Sequence, residues 1–293
     1  MNKKIIVVIA ILIIIILTCL IMIYRNINNQ NIDNNTENQS IVKQENSNQT
    51  ITNSNNYIEE TNKYQNDFQI DVVLHTENRN IHHSRYIPKD IEKLEEVPLY
   101  VTLPGYEGLY FQGVGVNLQE DFAFSAKRIN SNMIILAPQL DDWGETSAND
   151  TISLIEYYKE NYNISKVYTN GFSGGGETMS LVMGKRADLI DSYLQVSSKW
   201  DGDYKLTVQN EVPVYFFIGE NDEYYGSKPT KDAYNTLYRM YQEKGLTKEQ
   251  IDEILILDIR DSIYFKSKGM SNQHAGGGLS ANEETIMKWL LSR

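Results

Sequence analysis

A single cysteine, Cys19, is all that this 293-residue sequence contains. That scarcity excludes an internal disulfide and any metal site built on several thiolates. Histidine is nearly as rare, with only His75, His82, His83 and His274 present. Chemistry that needs an imidazole therefore has few sources. Positive charge is in deficit: 27 Lys and Arg stand against 39 Asp and Glu, a formal net charge of −12. Such a balance argues against the basic face that nucleic acid requires; its plainest consequence is solubility.

What the chain does have begins with a hydrophobic run. Ile5 to Tyr24 carries no charge, Lys3 and Lys4 precede it, and Arg25 follows it. As a helix, its about 20 residues span roughly 30 Å, the thickness of a bilayer core. The flanking charges predict an amino terminus inside and the remainder outside. A cleaved signal peptide is the rival reading, but no A-x-A site closes the run. Lipid attachment at Cys19 is another, though Ile16-Leu17-Thr18 lacks a small residue before the cysteine. Residues 1–25 are read as an uncleaved transmembrane anchor of a single-pass cell-membrane protein, with its main domain extracytoplasmic. Residues 26–66, rich in Asn, Gln, Ser and Thr, cannot bury enough apolar surface to offset ordering entropy. They are expected to form a disordered linker.

From residue 67 to 293 the pattern is that of a folded domain. Strands are expected at 68–74, 80–87, 98–103, 132–137, 166–169, 190–196, 212–218 and 253–259. Helices are expected near 118–129, 149–162, 176–183, 230–244 and 282–292. Near-continuous apolar strands alternating with helices predict an α/β domain, its mostly parallel sheet covered by helices on both faces. Sites in such sheets gather at the carboxyl ends of the strands.

One of those ends carries Gly171-Phe172-Ser173-Gly174-Gly175, a G-x-S-x-G pattern between an expected strand and an expected helix. In a nucleophile elbow this pattern holds a serine hydroxyl above the sheet. Gly and Ser are also common in ordinary loops, so the pentapeptide needs partners. A serine hydroxyl attacks only when a base takes its proton and a third group orients that base. His274 is the one histidine downstream of the elbow, within Gln273-His274-Ala275-Gly276-Gly277-Gly278. The carboxylate is sought after the 212–218 strand, where Glu220, Asp222 and Glu223 follow Gly219. Asp222 is preferred, with Glu220 and Glu223 in reserve. The order Ser, Asp, His is the one expected of an elbow-bearing sheet. An oxyanion hole would use the N–H of Gly174 and, from the loop after the 98–103 strand, that of Tyr106. Trp143 and Trp200 each follow an expected strand and are candidates for a substrate-binding rim.

These residues resemble the α/β-hydrolases, and within them the lidless secreted esterase and predicted-peptidase branch with its feruloyl-esterase-like and prolyl-oligopeptidase-like proteins. The matching pieces are Leu103-Pro104-Gly105, Ala137-Pro138-Gln139, Gly171 to Gly175, Gly219 to Asp222, His274 to Gly278 and Met287 to Leu290. The branch usually has His-Gly where Pro104-Gly105 stands, and often Met where Gly174 stands. The resemblance implies a serine acyl-enzyme that needs neither metal nor organic cofactor, acting on a small-molecule or polymer substrate. A carboxylic ester is the expected bond. The alternatives are an amide bond, cleaved by a serine peptidase of the prolyl-oligopeptidase-like type, and a non-catalytic binding module on the same fold.

Overall fold

The computed structural model describes residues 56–106 and 115–293. The expected anchor at 1–25 and most of the expected linker lie outside the described residues. The last part of that linker is ordered. Tyr57–Glu59 forms strand β1 and Tyr64–Gln65 forms β2, each antiparallel to β3, Phe68–His75. Ile58 is the physical reason: this isolated apolar residue in a polar stretch packs against the core.

The strands continue as β4 (Asn80–Tyr86), β5 (Val97–Leu103), β6 (Ile134–Pro138) and β7 (Ile164–Phe172). β8 (Ser192–Val196), β9 (Val214–Gly219) and β10 (Leu255–Arg260) complete the sheet. Its order is β1-β3-β4-β6-β5-β7-β8-β9-β10, with β2 pairing only with β3. From β6 through β10 every neighbouring pair is parallel. The amino-terminal strands join antiparallel.

Strand side chains alternate between two cores, one on each face. In β9, Val214 and Phe216 enter one core while Tyr215 and Phe217 enter the other. The first core is closed by helices α2 (Glu145–Asn161), α3 (Gly174–Arg186), α4 (Lys205–Gln209), α5 (Lys228–Lys244) and α6 (Lys248–Ile254). The second is closed by α1 (Phe122–Ile129), α7 (Ser262–Ser267) and α8 (Glu284–Leu290). Each fully buried aliphatic or phenyl side chain contributes roughly 1.5–3 kcal/mol, so the two cores fix the sheet from both sides.

Two expected helices differ in detail. Residues 118–129 are interrupted: Val116–Glu120 is a 3-10 turn, and Asp121 takes the left-handed conformation (φ 64°) before α1 begins. Helix α2 starts at Glu145, ahead of the apolar spacing that marks its body. The parallel strands bring the segments after β5, β6, β7, β8, β9 and β10 to one edge of the sheet. Ser173, Asp222 and His274 stand in three of them.

Candidate active site

Strand β7 runs straight into Ser173, which adopts φ 51° and ψ −122° before α3 begins at Gly174. That conformation is sparsely populated for a residue with a Cβ, and holding one costs of order 1–3 kcal/mol. The surroundings impose it. The Ser173 N–H donates to the Val196 carbonyl at 2.9 Å, and the Ser173 carbonyl accepts from the Gly176 N–H at 2.9 Å. Glycines allow the close approach: a Cβ on Gly171 would collide with the Gly175 carbonyl, and one on Gly175 with the carbonyls of Leu103 and Pro104.

The Ser173 hydroxyl is 2.9 Å from His274 Nε2. On the other side of the ring, Nδ1 lies 2.9 Å from Asp222 Oδ2. The second oxygen, Oδ1, accepts from the backbone N–H groups of Tyr224 and Tyr225 at 3.0 and 2.8 Å. Asp222 is buried, and these three bonds satisfy its carboxylate without water. It follows that Nδ1 carries the imidazole proton and Nε2 faces the hydroxyl as acceptor. Of the three adjacent acids, Asp222 alone reaches the ring: Glu223 instead binds backbone, and Glu220 is exposed at the loop start.

Aromatic rings hold the imidazole in place. Phe172 stacks on it at 5.9 Å between centroids, while Tyr224 and Tyr225 pack at 5.3 and 5.5 Å. The Tyr225 hydroxyl donates to Glu177 on α3. Burial first, and that carboxylate second, push its phenol well above the usual range.

Gly174 is the first residue of α3, so its N–H has no carbonyl one turn back within the helix, and the helix dipole favours negative charge there. The neighbouring Gly105 N–H is committed to Glu120 Oε1 at 2.6 Å. Tyr106, the next residue, is 59% exposed and lines the cleft beside Ser173. This cleft has a volume of about 560 Å³, with Phe172, Met270 and Leu279 as apolar walls and Glu120, Asp121 and Asn282 as polar ones.

The two tryptophans separate. The Trp143 ring packs where a Gly174 side chain would project, half-buried against the core, and it is not part of the cleft lining. Trp200 is buried, stacked on Tyr204 at 5.2 Å and flanked by Tyr193 and Phe216. Its expected place on a rim is therefore corrected: burying so large a ring in the first core outweighs leaving it at the edge.

Several residues of this site have no motif to mark them. Ser198 Oγ donates to the Ser173 carbonyl at 2.6 Å. Gln273 Oε1 accepts from the Asn221 N–H at 2.9 Å and ties the two loops together. A serine or glutamine after a strand looks the same in sequence whether or not it does this. Among the described residues no group of three or more His, Cys, Asp or Glu could hold a metal ion.

No family model matches the sequence, and no curated relative matches it. Among solved structures, a thermostable esterase matches with a TM-score of 0.62 at 17% identity, covering 77% of this chain and 63% of that one. This chain thus spans less than two thirds of that esterase's length. An Agrobacterium tumefaciens protein of unknown function, provisionally described as an α/β hydrolase, matches with a TM-score of 0.53 at 12% identity, over 75% and 96% of the two chains. With its parallel sheet, its strained serine turn and these neighbours, the chain has the α/β-hydrolase fold.

Proposed function

We propose that the domain is a serine hydrolase cleaving a carboxylic ester, with Ser173 as nucleophile, His274 as general base and Asp222 as the group that orients it. The observation that carries this reading is the chain of two 2.9 Å hydrogen bonds from Ser173 through His274 to Asp222, set on a strained elbow. A non-catalytic module has no need to hold a serine in that conformation.

In this reading His274 Nε2 takes the Ser173 proton as Oγ attacks the ester carbonyl. Asp222 stabilises the imidazolium that results. The carbonyl oxygen, now an anion, is met by the N–H of Gly174 and, as the second donor, that of Tyr106. Each such donor contributes roughly 3 kcal/mol to the transition state. The tetrahedral intermediate collapses, its C–O bond to the leaving alcohol breaks, and His274 returns the proton to that alcohol. Water then attacks the acyl-enzyme by the same route and releases the acid. The cleft volume fits a small-molecule acyl or alcohol group, and its mixed apolar and acidic walls favour an uncharged one.

The test is labelling by a fluorophosphonate, followed by turnover of matched ester and amide substrates. Labelling should vanish in Ser173→Ala, and turnover should fall by roughly 10⁶ in Ser173→Ala or His274→Ala. Absence of labelling in the native protein would sink the hydrolase reading. Faster turnover of the amide, once intrinsic reactivity is corrected for, would replace the ester with a peptide bond.

The apolar run from Ile5 to Tyr24, with its lysines ahead of it, supports a membrane anchor that leaves the domain outside the cell. Protease treatment of intact cells tests this. Protection of the domain would reject it.

A further inference from the structure

We propose that Glu223 is a positioning residue for the same reaction: its carboxylate holds the backbone of His274 while the neighbouring Asp222 holds the ring. This rests on the serine hydrolase reading given above. Glu223 Oε2 accepts from the Gln273 N–H at 2.7 Å and from the His274 N–H at 2.9 Å. Two consecutive acids on one loop thus grip one histidine at two points. Asp222 is satisfied by the imidazole and by its own loop's N–H groups. Glu223 reaches across to the other loop.

Past His274 the loop is held by short-range bonds and backbone packing, the Ala275 N–H donating to Asn272 Oδ1 at 2.7 Å and Gly276 lying close against Phe265, and not by side chains that reach the Asp222 loop. His274 is followed by Ala275 and then by Gly276, Gly277 and Gly278, which offer almost no side chain for anchorage. Beyond the two carboxylates, a neutral cross-loop bond runs from the Asn221 N–H to Gln273 Oε1. Hydrogen bonds to an ionised carboxylate are stronger than neutral ones, roughly twofold. The Glu223 pair is therefore the stronger clasp between the loops. Catalysis depends on Nε2 staying within hydrogen-bond reach of Oγ, and a shift of about 1 Å can cost 10²-fold in rate. An anchor on the His274 N–H sets where the ring begins.

One oxygen takes both N–H groups, and this makes the idea testable. The amide oxygen of Gln can accept the same two bonds, whereas Ala can accept neither. The protein, with Glu223→Ala and Glu223→Gln variants, is assayed for kcat and KM on an activated ester and for its rate of fluorophosphonate labelling. Glu223→Ala should lose kcat by about tenfold to a hundredfold, with KM within about twofold. Labelling should slow in parallel, because phosphonylation uses the same Ser173–His274 pair. Glu223→Gln should keep kcat within about threefold of the native protein, the rescue expected of a hydrogen-bond acceptor. Native kcat in the Ala variant would overturn the proposal. So would a rise in KM alone, or a Gln variant as impaired as Ala. If the native protein fails to label at all, the hydrolase reading has failed instead.

Discussion

Ser198 Oγ donates a 2.6 Å hydrogen bond to the main-chain carbonyl of Ser173, and so clamps the strained residue from the end of the adjacent strand. Ser198 is itself held, since Thr230 Oγ1 donates to its carbonyl at 2.8 Å. The positive φ of Ser173 is thus over-determined by β8 and α5 as well as by its own helix. Removing the clamp leaves the Ser173 carbonyl still bonded to the Gly176 N–H, so the loss should be that of one ordinary bond. Ser198→Ala should lower stability by about 1 kcal/mol. It should reduce kcat by about tenfold through a loosened elbow. Denaturant melts and steady-state kinetics check both; an unchanged kcat would show that the clamp is redundant.

Gly174 and Trp143 are a matched pair. A Cβ on Gly174 would run into the Trp143 ring, although Gly174 lies in the helix and its backbone would accept alanine. Gly174→Ala must therefore push the indole or the helix start. Overpacking of this kind costs typically 1–3 kcal/mol, and it moves an N–H proposed to meet the oxyanion. In a Trp143→Ala background the same glycine substitution should cost less in both stability and kcat. A double-mutant cycle measures the difference; simple additivity would mean that the two residues do not constrain each other.

How much of this was legible depends on how local each constraint is. The elbow was readable because Gly171 and Gly175 meet backbone within a few residues of themselves or in one neighbouring strand. His274 was readable through scarcity, as the one histidine after Ser173. The sequence favours Asp222 but keeps Glu220 and Glu223 in reserve, because which of three neighbouring carboxylates turns back is decided by the backbone of a single loop. Helix α6 is absent from the expected elements, although the capping box of Thr247 and Gln250 is a local signal for it. Trp200 carried none. An aromatic residue after a strand reads alike at a rim and in a core, and contacts with Tyr193, Tyr204 and Phe216 decide it. Strand β1 was hidden for the same reason: its pairing with β3 is what orders a polar stretch.

The cleft lining bears on substrate choice. Glu120 and Asp121 both line it, and no Lys or Arg does so among the described residues. An ester with an anionic acyl group would approach two like charges. At a few ångströms, with partial solvent screening, each like-charge contact opposes binding by about 1 kcal/mol. The two contacts together oppose binding by about 2 kcal/mol, so a neutral acyl ester should surpass its carboxylated counterpart by about thirtyfold in kcat/KM. Asp121 is the residue to vary, because Glu120 holds Gly105. Asn tolerates the left-handed conformation found at position 121 (φ 64°). Asp121→Asn should narrow the preference, and so should raised salt. Equal rates for the two esters would remove the cleft's charge from the account.

Away from the site, the burial of His83 should make the protein sensitive to acid. The ring is fully buried, with Nε2 2.9 Å from the Tyr158 hydroxyl and Nδ1 3.4 Å from the Ile81 carbonyl. Nδ1 is then the donor and Nε2 the acceptor. Protonating Nε2 would set a second donor against a hydroxyl that already receives Arg85 Nη1 at 3.4 Å. Burial, the main cause, lowers the imidazole from 6.5 to about 3. The unfolded chain thus binds a proton between pH 6.5 and 3 that the native protein does not, so stability present above pH 6.5 is lost as pH falls. The loss approaches about 1.4 kcal/mol per pH unit within that window. Asp150, raised to about 6 by burial, works in the opposite sense. Comparing native protein with His83→Gln cancels it, because Asp150 is common to both. His83→Gln should be less stable at pH 7, having lost its fit to Tyr158, and its stability should fall less steeply between pH 6.5 and 4.5. Urea unfolding at four pH values reads that slope, and parallel slopes would show that His83 binds as many protons in the native state as in the unfolded chain over that range.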